Sequence, residues 1–217
     1  MGGYDMELTK ELLEKLSLVP TGNVADSNPN GSVLGHEIKP IDPTLHMIGR
    51  ACTVECAPGD NLALHQGIEA AKEGDVLVFD CKGFKDGGHF GDMMANACKV
   101  KGIAGVIING SCRDAQDIKE LGFPVYVKAF NPAHTIKHAL AKINVPVTID
   151  EVTINPGDLL FGDGDGVVII HPEDEEEVIT KALQKYESEK EILQRILNGE
   201  STMSIYGFDK LVEELKK

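Results

Sequence analysis

Residues 91–117 read GDMMANACKVKGIAGVIINGSCRDAQD, and this stretch decides the fold. Its first part, residues 91–102, has the pattern of a short helix that ends at Gly102. The apolar, β-branched run IAGVIIN at 103–109 follows at once and predicts a buried strand. A polar turn then leads into a second helix, from Ala115 to Leu121. Helix, strand and helix in this order predict parallel βαβ packing.

The same alternation extends in both directions along the chain. Strands are predicted at 50–56, 75–81 and 124–130, and a helix is predicted at 59–74. Residues 145–172 differ, because Asn-Pro-Gly and Gly-Asp-Gly-Asp-Gly turns separate short apolar runs there. This pattern favours an antiparallel meander, with the second turn closing a hairpin. The fold class is therefore α/β.

Helices are also predicted near both ends of the chain. Residues 6–16 carry leucines at helical spacing, and residues 173–197 carry a longer apolar stripe. The sequence ESEKE at 187–191 breaks this stripe, so that turn faces solvent, a partner subunit or a site. Residues 20–32, PTGNVADSNPNGS, are rich in turn formers. We expect one domain over residues 1–217, with an N-terminal helix and a C-terminal helical extension.

Composition and charge exclude several classes of protein. The 21 Lys and Arg residues stand against 35 Asp and Glu, so the formal net charge is −14, which disfavours nucleic-acid binding. No apolar run has the length of a membrane span, and the N-terminus lacks the pattern of a secretory signal. The five cysteines form no CxxC motif and lie mostly within apolar patterns. We expect a cytoplasmic protein that binds neither nucleic acid nor membrane.

An arginine and two aspartates follow the central strand. Ligands collect at the carboxyl ends of strands in α/β sheets, and Arg113, Asp114 and Asp117 lie just after such an end. Arginine offers a planar fork for a carboxylate. Asp114 and Asp117, three residues apart on a nascent helix, offer oxygen ligands to a hard cation such as Mg²⁺. The alternative is that Asp114 caps the helix and Arg113 makes a surface ion pair. Spacing alone favours this alternative.

A glycine-rich turn precedes the helix of residues 91–102. Gly91 lets a ligand approach the backbone closely, and Asp92 stands at the helix start. The free amides of the first turn, such as those of Met93 and Met94, form a site for an anion. The alternative is a tight turn in which Asp92 only caps the helix. Both stretches belong to neighbouring strand–helix units, so we expect them to face one pocket.

The histidines are not interpreted as residues of a functional site. His134 and His138 are four residues apart on a predicted helix, which is metal-ligand spacing, but no acidic residue lies between them. We interpret them as residues of a helix surface. His65 and His89 are interpreted as polar residues of a helix and a loop.

Four segments together resemble the RraA-like family, which includes the 4-hydroxy-4-methyl-2-oxoglutarate (HMG) aldolases. They are GDNLALH (59–65), GDVLVFD (74–80), residues 91–114 and PGDLLFGDGDGVVII (156–170). The resemblance extends over roughly residues 20–207, almost the whole chain. Its most specific part is Gly91-Asp92, Arg113-Asp114 and Asp117. Asn109 stands where the family often has Asp, and DGGHF at 86–90 is bulkier than expected.

The resemblance implies a three-layer β/β/α fold of the phosphohistidine-swivelling type, assembled as a homotrimer or homohexamer with sites between subunits. It implies that Asp114 binds Mg²⁺ or Mn²⁺ and that Asp92 and Asp117 hold metal-bound waters. Arg113 and the amides of Met93 and Met94, after Gly91, would bind the pyruvyl part of a substrate. A glutamate on the C-terminal helix of an adjacent subunit would reach the metal waters. Its best match here is Glu191, with Glu189 as the alternative.

The function implied is that of a metal-dependent lyase. It would cleave a 4-hydroxy-2-keto acid such as HMG to pyruvate through a metal-stabilised enolate, with oxaloacetate decarboxylation as a side activity. The alternative is a non-catalytic, protein-binding regulator of ribonuclease E, since inhibitors of that enzyme resemble the same family. Those inhibitors tend to be shorter and to lack the Asp after the Arg, so Asp114 and the C-terminal helix favour the enzyme. A methyltransferase is disfavoured because no adenosylmethionine glycine loop follows a first strand.

Overall fold

The computed structural model describes residues 6–217, and its centre is a nine-stranded mixed sheet. The first five residues of the expected domain lie outside the described residues. The strands are β1 (Ser32–Val33), β2 (Lys39–Pro40), β3 (Met47–Glu55), β4 (Asp75–Phe84), β5 (Gly105–Cys112), β6 (Val125–Phe130), β7 (Lys142–Ile143), β8 (Val147–Ile149), β9 (Val152–Ile154), β10 (Leu159–Gly162) and β11 (Val167–Ile170). The helices are α1 (Lys10–Leu16), α2 (Thr21–Asp26), α3 (Leu62–Ala70), α4 (Asp92–Val100), α5 (Ala115–Leu121), α6 (Glu175–Leu197), α7 (Thr202–Ile205) and α8 (Phe208–Leu215).

The predicted parallel pairing of the central strands is confirmed. Strands β3, β4, β5 and β6 pair in parallel in that order, and α3, α4 and α5 connect them. Every residue of β5 is buried, as its apolar, β-branched sequence predicts. The carboxyl ends of β4 and β5 therefore lie side by side, next to the first turns of α4 and α5.

The sheet is the middle of three layers, so the β/β/α architecture is confirmed. One face packs on α3, α4 and α5 through residues such as Phe79, Cys98 and Ile118. The other face packs on the β8–β9 hairpin, through residues such as Ile107 and Ile149. All five cysteines are buried and free, in keeping with their apolar sequence patterns.

The region 145–172 forms two hairpins instead of one meander. The β8–β9 hairpin makes a separate two-stranded sheet, while β10 and β11 join the main sheet. The meander prediction was wrong in this respect, because apolar residues on β8 and β9 bury against the face of the main sheet. The turn at Gly-Asp-Gly-Asp-Gly does close the β10–β11 hairpin, as predicted.

The turn-rich stretch 20–32 contains a short helix that its composition did not predict. The carboxylate of Asp163, in the β10–β11 turn, fixes the start of α2. It accepts hydrogen bonds from the Thr21 amide at 2.8 Å, the Thr21 hydroxyl at 2.7 Å and the Asp165 amide at 2.8 Å. Burial alone raises the pKa of this carboxyl, but these three hydrogen bonds outweigh it and hold the pKa below its ordinary value.

Asp163→Asn should destabilise the fold at neutral pH. The side-chain NH₂ group that replaces one carboxylate oxygen would face a backbone N–H, so that two donors would meet. The free energy of unfolding should therefore fall by about 1.5–3 kcal/mol. Because the folded-state pKa is depressed, the stabilisation is complete above the unfolded pKa of about 3.9 and disappears as pH falls through the folded value. Urea unfolding at pH 7 and below pH 4 should therefore show that the free energy of unfolding differs between wild type and variant, and that this difference is smaller in acid. Asp165→Asn, in the exposed part of the same turn, should have the same free energy of unfolding as wild type at both pH values.

An arginine–glutamate pair attaches α6 to the sheet. Glu175 is fully buried at the helix start, and Arg50 of β3 holds it with both guanidinium nitrogens, one at 2.8 Å. The same guanidinium donates to the carbonyl of Met6 at 2.8 Å, so it also fixes the segment that leads into α1. The predicted N-terminal helix is present, but it begins at Lys10, after the cap residue Thr9.

Glu175→Ala should lower the free energy of unfolding by about 3 kcal/mol, because it leaves the Arg50 charge mostly buried and unpaired. Urea denaturation measures the change. Glu176→Ala, one residue further on an exposed face of α6, is the matched control and should change stability by less than about 0.5 kcal/mol. Equal effects of the two substitutions would contradict the importance of the pair.

Across residues 6–217, none of the helices combines the length and the apolar character needed to cross a membrane.

Candidate active site

A cavity of about 210 Å³ opens where β4 and β5 end and α4 begins. Four of its lining residues are the predicted substrate-binding residues Gly91, Met93, Met94 and Arg113. The expectation that the two βα units face one pocket is therefore confirmed. The lining also includes residues that the sequence did not single out for a site: Asn61, His65, Gly88, His89, His134, Thr135 and Lys137. No aspartate or glutamate is among the lining residues, although the chain carries a net charge of −14.

The first turn of α4 lines the cavity through Met93 and Met94. Gly91 is the residue before the helix, its backbone is extended, and it has no side chain with which to cap the turn. Asp92 is the first helical residue, so the interpretation of Asp92 as a cap is wrong. The amides of Met93 and Met94 lie too early in the helix to have a partner four residues back. Free amides at a helix start, with the helix dipole behind them, favour the binding of an anion.

The Arg113 side chain lies against Gly88 and Gly91. A methyl group added at Gly88 would come within 3.0 Å of Arg113 Cβ and 2.5 Å of the Asn131 carbonyl oxygen. One added at Gly91 would come within 2.5 Å of Asp114 Oδ2 and 3.4 Å of Arg113 Nε. The glycine-rich turn is therefore needed for close approach, since any larger residue would displace the arginine or the aspartate. The amide of Arg113 donates to the Phe90 carbonyl at 2.9 Å, which joins the two stretches directly.

Asp114 does not cap α5. Its backbone is in the left-handed region (φ 58°, ψ 35°), and its carboxylate caps no amide of the helix. Instead, Oδ2 lies 3.4 Å from Arg113 Nε and 3.4 Å from the Asp92 amide. Such a conformation is unfavourable for a residue other than glycine and concentrates at functional sites. The capping alternative is therefore wrong, while the ion pair with Arg113 is present at the edge of the cavity.

Within residues 6–217, the acidic residues do not enclose a metal site. Asp117 is exposed in the first turn of α5, and the left-handed Asp114 lies outside that helix, so the two are not an i, i+3 pair on one helical face. Among residues 6–217, no three His, Cys, Asp or Glu side chains lie close enough together to hold a metal ion. Glu189 and Glu191 lie on α6 and do not line the cavity.

His89 is a structural residue that the sequence did not reveal. It is fully buried, and its Nε2 accepts a hydrogen bond from the Gly59 amide at 3.2 Å, while Nδ1 lies 3.3 Å from the Ser111 carbonyl. Burial lowers its pKa, and the Ser111 contact and the charge of Asp60 oppose this only in part. Burial and the nearby charge of Lys137 also lower the pKa of His65. Both imidazoles are therefore neutral at pH 7.

The segment carrying His134 and His138 is a loop, so the helix predicted there was wrong. Its course depends on Asp60, a buried residue whose carboxylate accepts hydrogen bonds from the amides of His138 and Ala139. Those amides are used by a side chain far away in sequence and cannot continue a helix. His134 lines the cavity and His138 does not, so the spacing of four residues between them does not indicate a metal site.

Of the two departures from the family pattern, Asn109 does not line the cavity, whereas the DGGHF segment contributes Gly88 and His89 to its lining. Asn109 faces the opposite side of the sheet from the helices and donates from Nδ2 to Asp80 Oδ1 at 2.7 Å. An aspartate there would face the Asp80 carboxylate. In the DGGHF segment, Phe90 is fully buried and packs near Phe79, with ring centroids 6.4 Å apart. The bulk of Phe90 therefore fills the core.

The comparison with known families agrees with this geometry. The RraA-like family model, described as Aldolase/RraA, matches residues 21–169, which include every part of the cavity described above. The chain belongs to the RraA-like family. The match ends before α6, so the C-terminal helices lie outside the shared region.

Some similar proteins are named as aldolases and others as inhibitors of RNA processing. A protein of Halalkalibacterium halodurans named "Putative 4-hydroxy-4-methyl-2-oxoglutarate aldolase" is 36% identical over 175 residues, which is 81% of this chain and 83% of that protein. The solved structure of RraAS2 from Streptomyces coelicolor, described as an unusual member of the RNase ES inhibitor RraA family, is 28% identical. It has a TM-score of 0.73 and covers 85% of this chain and 96% of that one. The RNA-processing inhibitor RraA from Thermus is 26% identical, with a TM-score of 0.65, covering 70% of this chain and 92% of that one.

Proposed function

We propose that the protein is a divalent-metal-dependent lyase that cleaves a 4-hydroxy-2-keto acid, such as HMG, and releases pyruvate. Decarboxylation of oxaloacetate, which yields the same three-carbon product, is the expected side activity. The observation that carries the proposal is that the first turn of α4 and Arg113 line one cavity, with the Asp114 carboxylate 3.4 Å from the Arg113 guanidinium. The name of the Halalkalibacterium relative supports the same reaction.

The chain's own groups have distinct tasks in this proposal. Arg113 and the amides of Met93 and Met94 bind and orient the carboxylate of the 2-keto acid. The C4 hydroxyl then gives its proton to a base, the bond between C3 and C4 breaks, and C4 becomes the carbonyl carbon of the second product. The enolate left on the other fragment takes up a proton at C3 and becomes pyruvate. Positive groups near the keto acid favour the charge that develops on it as the bond breaks. No lysine is required to form a Schiff base.

The acidic residues fit a hydrated cation. Mg²⁺ commonly takes one or two carboxylates, keeps several waters and completes its coordination with substrate. Asp114 would hold the ion directly, while Asp92 and Asp117 would hold its waters. This donor set, oxygen-only and without a cluster of three ligands in residues 6–217, suits Mg²⁺ or Mn²⁺ better than a closed zinc cage. When bound, the cation would supply Lewis-acid stabilisation of negative charge on the keto oxygen.

The remaining acidic group would come from a neighbouring subunit of a homotrimer or homohexamer. Glu189 is already used within the chain, because it accepts a hydrogen bond from Asn23 Nδ2 at 2.8 Å. Glu191 makes no ion pair with any other residue of 6–217, which favours it over Glu189. The segment that follows exposes many apolar side chains, which supports packing against another subunit: Leu193, Ile196, Leu197, Met203, Tyr206, Phe208, Leu211, Val212 and Leu215.

A protein-binding role is the second candidate, because solved relatives are named as inhibitors of RNA processing. A pull-down with ribonuclease E tests it. Binding of ribonuclease E together with no pyruvate formation would replace the enzyme proposal with this one.

The experiment that tests the lyase is a coupled assay. Purified protein is incubated with HMG or oxaloacetate and Mg²⁺ or Mn²⁺, and pyruvate is measured with lactate dehydrogenase and NADH. Pyruvate release that depends on both protein and metal is the expected result. No release above the metal-only control, with either substrate and either cation, would overturn the proposal.

A further inference from the structure

We propose that His65 is the general base of the cleavage reaction, the group that accepts the proton of the substrate's C4 hydroxyl. The inference rests on the proposed function and assigns the one group that it leaves unnamed, since the carbon–carbon bond breaks only as this hydroxyl loses its proton. The observation that carries it is the composition of the cavity wall. Among residues 6–217 the lining holds no carboxylate, and His65 is an accessible proton acceptor on a helix.

Few groups in the cavity wall accept a proton at neutral pH. Among residues 6–217, the titratable residues of the lining are His65, His89, Arg113, His134 and Lys137. The arginine and the lysine are cations at pH 7 and have no acceptor to offer. His89 is fully buried, and both of its ring nitrogens already contact the backbone. This leaves His65 and His134.

The imidazole of His65 is free and uncharged. The residue is exposed, and within residues 6–217 the imidazoles with hydrogen-bonded ring nitrogens are those of His89 and His171. Partial burial lowers the pKa of His65 most, and the charge of Lys137 lowers it further, because both disfavour the imidazolium. At pH 7 one ring nitrogen of His65 is therefore an open acceptor, as a general base requires.

Helix α3 fixes the position of His65. Asn61, the residue before the helix, and His65 are four residues apart and both line the cavity, so they share one face of the helix. Gln66, the next residue, accepts a hydrogen bond from the Ala141 amide at 2.8 Å, which ties the middle of α3 to the following loop. His134 lies on that loop, outside any helix or strand. A helix aims a catalytic group more precisely than a loop does, which favours His65 over His134.

The proton and electron balance of the step is complete. The C4 hydroxyl gives its proton to the free nitrogen of His65, and its O–H electrons form the new carbonyl bond as the bond between C3 and C4 breaks. The electrons of that bond form the enolate, which takes a proton from water at C3, and the imidazolium returns its proton to water. Decarboxylation of oxaloacetate forms the same enolate without a hydroxyl proton to remove, so it needs no such base.

The test compares these two reactions in the pyruvate-coupled assay with Mg²⁺. His65→Ala should lower kcat/KM for HMG by about 10²-fold or more and leave oxaloacetate decarboxylation within about two-fold of wild type. Imidazole added to this variant should restore part of the HMG cleavage, because the free base can replace the missing side chain. His138→Ala is the matched control. It removes the same group from an exposed position that does not line the cavity, so both reactions should be unchanged.

Each outcome decides the inference. Retained decarboxylation by His65→Ala, with HMG cleavage lost and restored by imidazole, supports it and shows that the variant is folded. Unchanged HMG cleavage, equal losses in both reactions, or a selective loss that imidazole does not restore would overturn it, while the activity of wild type would leave the lyase standing. Selective loss in His134→Ala instead would also overturn it. A wild type that releases no pyruvate from either substrate would contradict the proposed function, and the inference with it.

Discussion

Arg113→Met should lower kcat/KM for HMG by about 10²- to 10³-fold, because it removes the charged fork that binds the keto-acid carboxylate. The same substitution should weaken 2-oxoglutarate and 2-oxopentanoate by similar factors, since both ligands place that carboxylate at Arg113. The pyruvate-coupled assay and calorimetry measure the two effects.

Arg113→Lys separates charge from geometry. It keeps the positive charge but loses the planar fork, so its kcat/KM should lie between those of wild type and Arg113→Met. The Arg113 side chain is 49% exposed, so the unfolding midpoint in urea should move little in either variant. Unchanged pyruvate production in Arg113→Met would contradict the proposed function, whatever the calorimetry shows.

The parts of the site that the sequence predicted follow from local patterns. Parallel βαβ order puts the ends of neighbouring strands together, and this alone predicted that Gly91 and Arg113 share a pocket. The glycines of residues 87–91 indicated close approach to the backbone, and the structure shows how close it is, since a methyl group at Gly91 would meet Asp114 Oδ2 at 2.5 Å. The left-handed backbone of Asp114 could not be predicted, because nothing in the sequence distinguishes it from a capping residue.

The parts that were missed depend on contacts between distant residues. The loop with Lys137 has no periodic pattern, and its position is set by Asp60, 78 residues before the His138 amide that it accepts from. Likewise, α2 begins where it does because Asp163, 142 residues away, accepts from the Thr21 amide. His89 looked like a polar loop residue, but its burial follows from the packing of residues 86–90 against the end of β5. Such long-range hydrogen bonds leave no local signal in one sequence.

Asp114→Asn should weaken Mn²⁺ binding by more than about 100-fold, because a neutral amide replaces the one carboxylate proposed to hold the cation directly. Electron paramagnetic resonance of free Mn²⁺ measures this without any substrate, so the result does not depend on activity. Pyruvate release should fall with it, by at least about 10³-fold.

Substitutions of other acidic residues should weaken Mn²⁺ binding less than Asp114→Asn does. Asp117→Asn removes a charge that would act only through a metal-bound water, so it should weaken Mn²⁺ by about 10-fold. Asp165→Asn, in the exposed turn between β10 and β11, removes the same charge far from the cavity and should have no effect. If Asp114→Asn bound Mn²⁺ as tightly as wild type while remaining folded in urea titrations, Asp114 would be only the ion-pair partner of Arg113. The strained backbone at position 114 would then serve to aim the arginine, and the metal site would have to lie elsewhere.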